Sequence, residues 1–323
     1  MRDQAANDMT AALRAGRFGA VVTAMATPFD DEGCLDVDGA VTLARHLVAN
    51  GSDGLVVTGT TGEGPTLSDA ERKSLWETVA RSVTVPVIAG SSSNDTAHSV
   101  ELTRAASTLG VAGILAVTPY YNRPSQAGIA AHFAAVAAVT PLPVIIYDIP
   151  VRTGRKVNLE TMLRLVGQCP NIVGVKDASA DPAGAARLVA RAGEGFECYS
   201  GDDSLTLALL AVGAVGVVSV AGHWVGSEIG EMIRRFFEGD VAGARDLNAA
   251  LIGPVSFQSS DEAPNPIPTK AVLRVRGLPA GQCRLPMGQA PDGLEQKARE
   301  MLSALDNWRA GRLAKSATAS SHA

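Results

Sequence analysis

A lysine at the end of an apolar run is the residue of this sequence best suited to covalent chemistry. The segment NIVGVKDAS, residues 171–179, carries strand-forming apolar residues up to Val175 and then Lys176. Lysine is among the residues least often buried without a partner. Burial would lower the pKa of the ammonium group, and the neutral amine could attack a carbonyl carbon and form a Schiff base. The alternative is a structural ion pair between Lys176 and Asp177 or another acid.

The two-residue period of a β-strand predicts which way Lys176 points. Asp177 falls on the opposite face, with Val173 and Val175, which argues against its pairing with the lysine. Gly174 leaves room beneath the lysine side chain. The face that carries the lysine is expected to consist of Ile172, Gly174, Lys176 and Ala178.

Two further candidates follow the apolar run LPVIIYDIP, residues 142–150. Tyr147 ends the predicted strand, and a phenol beside a Schiff-base lysine can move protons. Its alternative role is an aromatic cap on the core. Arg152 comes next, on a predicted loop, where a guanidinium group could bind a substrate carboxylate through two hydrogen bonds. Its alternative is a solvated loop charge.

The segment GTTGEG, residues 59–64, could bind a small anion. It lacks the Gly-Lys-Ser/Thr of a P-loop, and its glycine spacing is not that of a dinucleotide fingerprint. Free backbone amides and the hydroxyls of Thr60 and Thr61 could still hold a carboxylate.

A metal centre is not expected, because no two histidines stand at ligand spacing. Carbon–carbon chemistry would then depend on a lysine imine as the electron sink. The histidines are His46, His98, His132, His223 and His322.

Short β-branched runs alternate with alanine-rich helical stretches along the chain. This alternation, with strands apolar on both faces, predicts an α/β TIM (β/α)8 barrel, with a doubly wound open sheet as the alternative. The predicted strands are GAVVTAM, GLVVTG, VPVIAGS, GILAVTP, LPVIIYDIP, NIVGVKDAS, FECYSGDD and GVVSVAG.

The predicted domain organisation places the barrel between two terminal segments and a small C-terminal helical domain. Helical patterns continue beyond the eighth barrel unit, and the last residues are polar and of low complexity. The predicted parts are an N-terminal extension (1–18), the catalytic barrel (19–238), the helical domain (239–309) and a disordered tail (310–323).

Composition limits the partners of the protein. The net charge of −5 and an aromatic content of 4% argue against nucleic-acid binding. The four unpatterned cysteines, Cys34, Cys169, Cys198 and Cys283, indicate a reduced, cytoplasmic protein. The N-terminus is not a secretory signal. The apolar run 205–222 is interpreted as a buried helix, turn and strand, with a membrane span as the alternative.

The motifs together resemble one family. GTTGEG, TPYYNRPSQAG, YDIPVRTG, GVKDAS, SGDD and NPIPTKAVL occur in this order between about Gly19 and about Leu305. The chain resembles the dihydrodipicolinate synthase / N-acetylneuraminate lyase family of class I lyases and aldolases. The resemblance implies a TIM barrel with a helical C-terminal domain, commonly assembled as a homotetramer, a dimer of dimers. It implies no cofactor beyond a covalent imine between the lysine and pyruvate.

The resemblance also implies roles for individual residues. Lys176 would form the imine, and Thr61 with neighbouring amides would hold the pyruvate carboxylate. Tyr147, Thr60 and Tyr121 match a proton relay, in which the residue corresponding to Tyr121 comes from an adjacent subunit. Two residues match the lining of the pyruvate pocket, Gly201 and Val218.

Arg152 bears on the second substrate. In dihydrodipicolinate synthases an arginine at this position binds the carboxylate of aspartate semialdehyde, and sialic-acid lyases typically lack it. The expected reaction is therefore condensation of pyruvate with L-aspartate semialdehyde to 4-hydroxy-tetrahydrodipicolinate. Gly64 and Pro65 depart from the common synthase pattern, so a pyruvate-dependent aldolase, lyase or dehydratase of a sugar acid or another 2-oxo acid is the alternative. A barrel that has lost catalysis is a second alternative, which would predict a broken lysine–tyrosine–threonine set.

Some family members bind L-lysine at a subunit interface, and this chain departs from their pattern. The positions of two histidines and a glutamate are taken by Asp69, Arg72 and His98, whereas Asn94 and Tyr120 are retained. Inhibition by L-lysine is therefore expected to be weak or absent.

Overall fold

The core of the structure is a closed barrel of parallel β-strands. The structure is a computed structural model that describes residues 16–320, with backbone alone for 315–320. The strands follow chain order around the barrel, and the last pairs with the first. The TIM barrel is thus confirmed and the open sheet is wrong. The strands are β1 (Val21–Ala24), β2 (Gly54–Val57), β3 (Val87–Gly90), β4 (Gly113–Val117), β5 (Val144–Asp148), β6 (Ile172–Asp177), β7 (Glu197–Ser200) and β8 (Gly216–Ser219).

Helices follow the strands and cover the barrel, and local sequence signals define several of their starts. Ser68 and Glu71 form a capping box at the first turn of one helix, and Asp95 caps another. The helices are α1 (Val37–Ala49), α2 (Asp69–Ser82), α3 (Thr96–Ala106), α4 (Gln126–Ala137), α5 (Pro150–Thr153), α6 (Leu159–Gln168), α7 (Pro182–Ala192), α8 (Thr206–Ala211), α9 (Gly222–Phe237), α10 (Val241–Ser256), α11 (Ile267–Val275) and α12 (Leu294–Ser320).

The alternation of side chains along each strand divides the apolar core into two layers. The outer layer packs between the strands and the helices. The inner layer fills the barrel itself, so the barrel is a packed core and only its carboxyl end is open for a site. The inner layer contains Phe18, Val22, Ala24, Val56, Ile88, Leu115, Ile145, Tyr147, Ile149, Tyr199 and Val218.

The pairing of β5 with β6 contains an irregularity that changes one predicted face. Ile145 pairs with Gly174, whereas the preceding pair ends at Ile172, so Val173 is an extra residue in β6. Ile172 therefore packs with the outer layer and Val173 against the inner layer. The predicted faces were therefore wrong for Ile172 and for Val173. The two-residue period resumes after the bulge, which leaves Lys176 directly beside the last residues of β5 on the inner face.

The structure differs from the predicted domain boundaries near both ends of the chain. Phe18, expected in an N-terminal extension, is 2% exposed and closes the base of the barrel, while residues 1–15 lie outside the described residues. At the other end α12 continues to Ser320, which corrects the expected disordered tail over residues 310–320. The ion pair of Arg312 with Glu231 at 2.8 Å ties this part of α12 to α9. Residues 321–323 also lie outside the described part.

The apolar run 205–222 is divided as predicted. It contains α8, a turn at Gly213 and β8, and its residues belong to the barrel core. Over residues 16–320 no helix is both long enough and apolar enough to span a membrane.

Candidate active site

A cavity of about 230 Å³ opens at the carboxyl ends of the strands. The predicted site residues arrive there because parallel strands bring their ends to one rim of the barrel. Residues from three of the predicted motifs and from α2 line its wall. They are Thr60 of GTTGEG, Tyr120 of TPYYNRPSQAG, Tyr147 and Arg152 of YDIPVRTG, and Arg72 of α2.

Lys176 is buried beside this wall and faces Tyr147. Its side chain is 4% exposed, and its Nζ lies 4.3 Å from the centroid of the tyrosine ring. Burial lowers the pKa of Lys176 to about 8, although the negative charge of Asp203 opposes that shift and the positive charge of Arg152 adds to it. A sizeable fraction of the amine is therefore neutral near neutral pH and available as a nucleophile.

The structural ion-pair alternative for Lys176 is not what the geometry supports. Asp177 points away from the barrel interior, as predicted, and lines a separate outer cavity with Asp148 and Lys156. Its Oδ1 accepts a hydrogen bond from the amide of Ser179 at 2.8 Å. The strand therefore delivers the lysine and its neighbouring acid to opposite sides of the barrel wall.

Tyr147 is a buried phenol whose proton is firmly held. Burial raises its pKa to about 12, while nearby Arg152 and a hydrogen bond from Thr60 act in the opposite direction. The phenol therefore stays protonated at neutral pH. It can donate its proton to a substrate oxygen and pass protons through the Thr60 hydroxyl.

Thr61 is fixed by a residue that the sequence reasoning did not single out. Its side chain is 2% exposed, and its Oγ1 accepts a hydrogen bond from Nδ2 of Asn265 at 3.0 Å. A hydroxyl that accepts from an amide keeps its own proton free to donate. Thr61 can therefore donate to a carboxylate. Asn265 opens the segment NPIPTKAVL, so the motif was visible but its contact with Thr61 was not.

Arg152 lies over the rim of the cavity, on the short helix α5. Its side chain is exposed, and its Nη2 donates to the backbone carbonyl of Asn265 at 3.4 Å. A single long hydrogen bond leaves most of the guanidinium donors free for a ligand. Asn265 thus contacts both residues predicted to bind carboxylates.

Asp203 is a second residue that the sequence reasoning passed over. It belongs to the SGDD segment and is 7% exposed. Its carboxylate accepts hydrogen bonds from the hydroxyl of Ser219 and from the amides of Val220 at 2.9 Å and Ala221 at 3.2 Å. Burial raises the pKa of Asp203, and these donors act in the opposite direction and favour the carboxylate, whose charge acts on Lys176.

Gly201 and Val218, which were predicted to line a pyruvate pocket, are not among the residues that line the described cavity. A Cβ atom on Gly201 would come within 2.8 Å of the side chain of Ala178, so the backbone approaches the end of β6 closely. Val218 is 1% exposed and belongs to the inner apolar layer. Both positions favour a tight, dry floor beneath the cavity.

Tyr121 is not brought into the site within one chain. Its side chain is 90% exposed, and its backbone has a φ of 71°, in the left-handed region that is uncommon for residues with a Cβ. The neighbouring Tyr120 lines the cavity instead. A large exposed aromatic side chain held in a strained conformation is typical of a contact made with another molecule.

Of the residues of the candidate regulatory site, Arg72 and Tyr120 line the cavity, whereas Asp69, Asn94 and His98 do not. His98 Nε2 is 2.9 Å from Oδ1 of Asp69, and Nη2 of Arg72 donates to the carbonyl of Gly64 at 2.5 Å. Asn94 accepts a hydrogen bond from Asn122 through its backbone carbonyl at 3.0 Å. An acidic partner already engages His98.

Taken as a whole, the arrangement supports imine chemistry on a small oxo acid. Tyr147 and Arg152 bring a proton donor and a guanidinium group to the wall of one small cavity, and the nucleophile Lys176 is buried against Tyr147. Over residues 16–320 the histidine, cysteine and acidic side chains form no group of three or more that could hold a metal ion.

Comparison with known sequences gives a consistent result. The chain matches the model of the Dihydrodipicolinate synthetase family over residues 17–305. It is 50% identical over 273 residues to the 4-hydroxy-tetrahydrodipicolinate synthase of Moorella thermoacetica, covering 84% of this chain and 92% of that protein. The corresponding protein of Bacillus subtilis is 46% identical over 272 residues, covering 84% of this chain and 93% of that protein.

Solved structures are similar over the same range. A dihydrodipicolinate synthase from Cyanidioschyzon merolae with lysine bound has a TM-score of 0.86 and 42% identity, covering 90% of this chain and 98% of that chain. A monomeric dihydrodipicolinate synthase variant has a TM-score of 0.84 and 34% identity, covering 88% and 96%. Because the family match spans nearly all of the barrel and the C-terminal helices, the chain belongs to the dihydrodipicolinate synthetase family.

Proposed function

We propose that this chain is a lyase that condenses pyruvate with L-aspartate semialdehyde to give 4-hydroxy-tetrahydrodipicolinate, in lysine and diaminopimelate biosynthesis. The observation that carries the proposal is the buried amine of Lys176 against Tyr147, at the mouth of a barrel whose relatives are synthases of this name. The lysine–tyrosine–threonine set is complete, so a barrel without catalysis is not supported.

The reaction begins with attack of the neutral Lys176 amine on the keto carbon of pyruvate, while Thr61 donates to the pyruvate carboxylate. Loss of water leaves a protonated imine, and Tyr147 with Thr60 supplies and removes the protons. Loss of a methyl proton gives an enamine. The enamine carbon attacks the aldehyde carbon of the second substrate, which Arg152 holds by its carboxylate. The amine of that substrate then displaces the lysine and closes the ring, which restores the free enzyme.

The imine places a positive charge in the barrel mouth, and Asp203 offers the compensating charge. Its carboxylate raises the pKa of Lys176 and so favours the protonated form. Such fixed electrostatic groups stabilise a charge as it develops. No metal or other cofactor is required, because the imine is itself the electron sink.

Two further features belong to the proposal. The enzyme is a cytoplasmic homotetramer in which Tyr121 of one subunit completes the proton relay of its neighbour, a role suited to its 90% exposure. L-lysine inhibits it weakly or not at all, because Asp69 and Arg72 replace the histidines of lysine-binding relatives. In addition, the carboxylate of Asp69 already contacts the imidazole of His98. Half-inhibition at well below millimolar lysine would contradict this second statement.

Reduction with borohydride in the presence of pyruvate tests the central step. We expect the mass of a reduced pyruvate adduct on Lys176, because only a protonated imine is reduced to a stable amine. Lys156, a partly exposed lysine on the outer cavity, serves as the internal control and should stay unmodified. The variant Lys176→Ala should lose at least about 10³-fold in kcat. An adduct on another lysine would refute the assignment.

Replacement of Arg152 tests the second substrate. Arg152→Ala should raise KM for aspartate semialdehyde roughly 10- to 100-fold, because a hydrogen bond to a charged group contributes about 1.5–3 kcal/mol. Arg155→Ala is the matched control, since that arginine donates to the carbonyl of Arg123 on the exposed side of the same loop. Parallel assays with N-acetylneuraminate and 2-keto-3-deoxy acids test the alternative substrates. Full activity of Arg152→Ala on aspartate semialdehyde would overturn this assignment.

The pH dependence should report the amine of Lys176. Since its pKa is lowered to about 8 and the neutral form is the nucleophile, kcat/KM for pyruvate should rise with pH and level off above that value. Asp203→Asn removes a charge that raises this pKa, so the midpoint should move down by roughly one pH unit. A midpoint that stays constant in Asp203→Asn would show that Asp203 does not act on the lysine.

Subunit mixing tests the role of Tyr121. Lys176→Ala and Tyr121→Ala should each be nearly inactive alone. Co-expressed, they should recover activity, because a Tyr121→Ala subunit keeps its lysine and receives the tyrosine of its Lys176→Ala neighbour. The measurement compares purified mixed assemblies with the two parent proteins. Activity no higher than the sum of the parents would count against a shared site.

A further inference from the structure

A second buried lysine lies outside the active-site cavity and contacts the turn that carries Thr60 and Thr61. The Nζ of Lys270 is 2.6 Å from Oε1 of Glu63, and the two side chains are 1% and 2% exposed. The same Nζ donates to the carbonyl of Gln282 at 3.0 Å and lies 4.0 Å from the centroid of the Phe29 ring. Lys270 does not line the described cavity, and its ammonium group is already engaged by Glu63 and by the carbonyl of Gln282.

Glu63 ends this turn in a conformation that needs support. Its φ is 53°, and its amide donates to the carbonyl of Thr60 at 3.0 Å. Left-handed backbone is unfavourable for a residue with a Cβ and persists where the surroundings hold it. Here Oε2 of Glu63 accepts from the amide of Arg284 at 2.8 Å, while Oε1 faces Lys270. Both carboxylate oxygens are thus engaged by the C-terminal part of the chain.

One C-terminal segment contacts the turn at two points. Asn265 donates to the hydroxyl of Thr61, and Lys270 pairs with Glu63. Asn265 is itself oriented by the hydroxyl of Thr269, which donates to its Oδ1 at 3.2 Å. Residues 265–270 therefore contact the turn on either side of Gly62. The hydroxyl of Thr61 cannot move without breaking one of these buried contacts.

We propose that the Glu63–Lys270 ion pair is the positioning element that sets the Thr60–Thr61 turn for binding of the pyruvate carboxylate. The inference rests on the proposed function, because it takes this turn as the carboxylate site. Removing one member of a buried ion pair leaves an uncompensated charge, which the protein relieves by moving the charged segment or admitting water. For Glu63 the segment that would move is the turn itself. Lys270 is thus a positioning residue for substrate binding.

Steady-state kinetics of Lys270→Met test the inference. We expect KM for pyruvate to rise at least about tenfold, since small displacements of positioning groups have large effects. We expect KM for aspartate semialdehyde to change less than about threefold, because Arg152 is untouched. The double variant Glu63→Gln/Lys270→Met leaves no unpaired charge. It should recover thermal stability relative to Lys270→Met while keeping the raised KM, because a neutral pair cannot hold the turn.

Arg309→Met is the matched control. It breaks a different ion pair, which is only partly buried, between Nε of Arg309 and Oε1 of Glu228 at 2.6 Å, and which joins α12 to α9 away from the turn. It should lower the melting temperature without changing KM for pyruvate. A kinetic effect confined to the Lys270 variants would then reflect positioning and not general destabilisation.

Several results would overturn the inference. A folded Lys270→Met or double variant whose KM for pyruvate stays within about twofold of wild type would do so. An equal rise of KM in Arg309→Met would do so as well. Failure of both Lys270 variants to fold, while Arg309→Met folds, would assign the pair a purely structural role. Failure of the proposed function is distinguishable, because wild-type protein would then give no borohydride-trapped pyruvate adduct.

Discussion

The desolvation of one amine is the constraint on which the rest of the site depends. Lys176 is 4% exposed, and burial lowers its pKa to about 8. The same burial disfavours the charged imine of the proposed reaction. The site therefore needs a dry floor to keep the amine neutral and a fixed negative charge to tolerate the imine. The inner apolar layer supplies the floor, and Asp203 supplies the charge.

The barrel meets these requirements because the carboxyl ends of neighbouring strands, β5 to β8, contribute different groups to one rim. Tyr147 and Lys176 are direct neighbours across β5 and β6, which brings a proton donor to the nucleophile. Asp203 follows β7. Its hydrogen-bond donors are Ser219, the last residue of β8, and the next two residues, Val220 and Ala221. The C-terminal part of the chain also contributes to the site, since Asn265, which lies outside the barrel, donates a hydrogen bond to Thr61. The carboxylate site is therefore assembled by two parts of the chain.

The sequence predicted the features that local periodicity determines, such as the strands and the direction of their side chains. It did not predict contacts between residues that are distant along the chain. The strands and the inward direction of Lys176 follow from β-branched runs and the two-residue period. The bulge at Val173 was not predictable from alternation, because it depends on the register with β5. Asn265 and Asp203 were missed for a similar reason. Asn265 acts on Thr61 at a separation of 204 residues, and a local pattern carries no information on such a pair.

The two buried lysines show how surroundings decide the use of one side chain. Burial lowers the pKa of both, but the carboxylate of Glu63 lies 2.6 Å from Lys270 and opposes the shift directly. Lys176 instead faces an aromatic ring and a carboxylate already bonded to three donors. A close, fully buried partner holds Lys270 as a structural cation. The absence of such a close contact at Lys176 leaves its lone pair available. The ion pair with Glu63 thus ties Lys270 to the turn that carries Thr60 and Thr61.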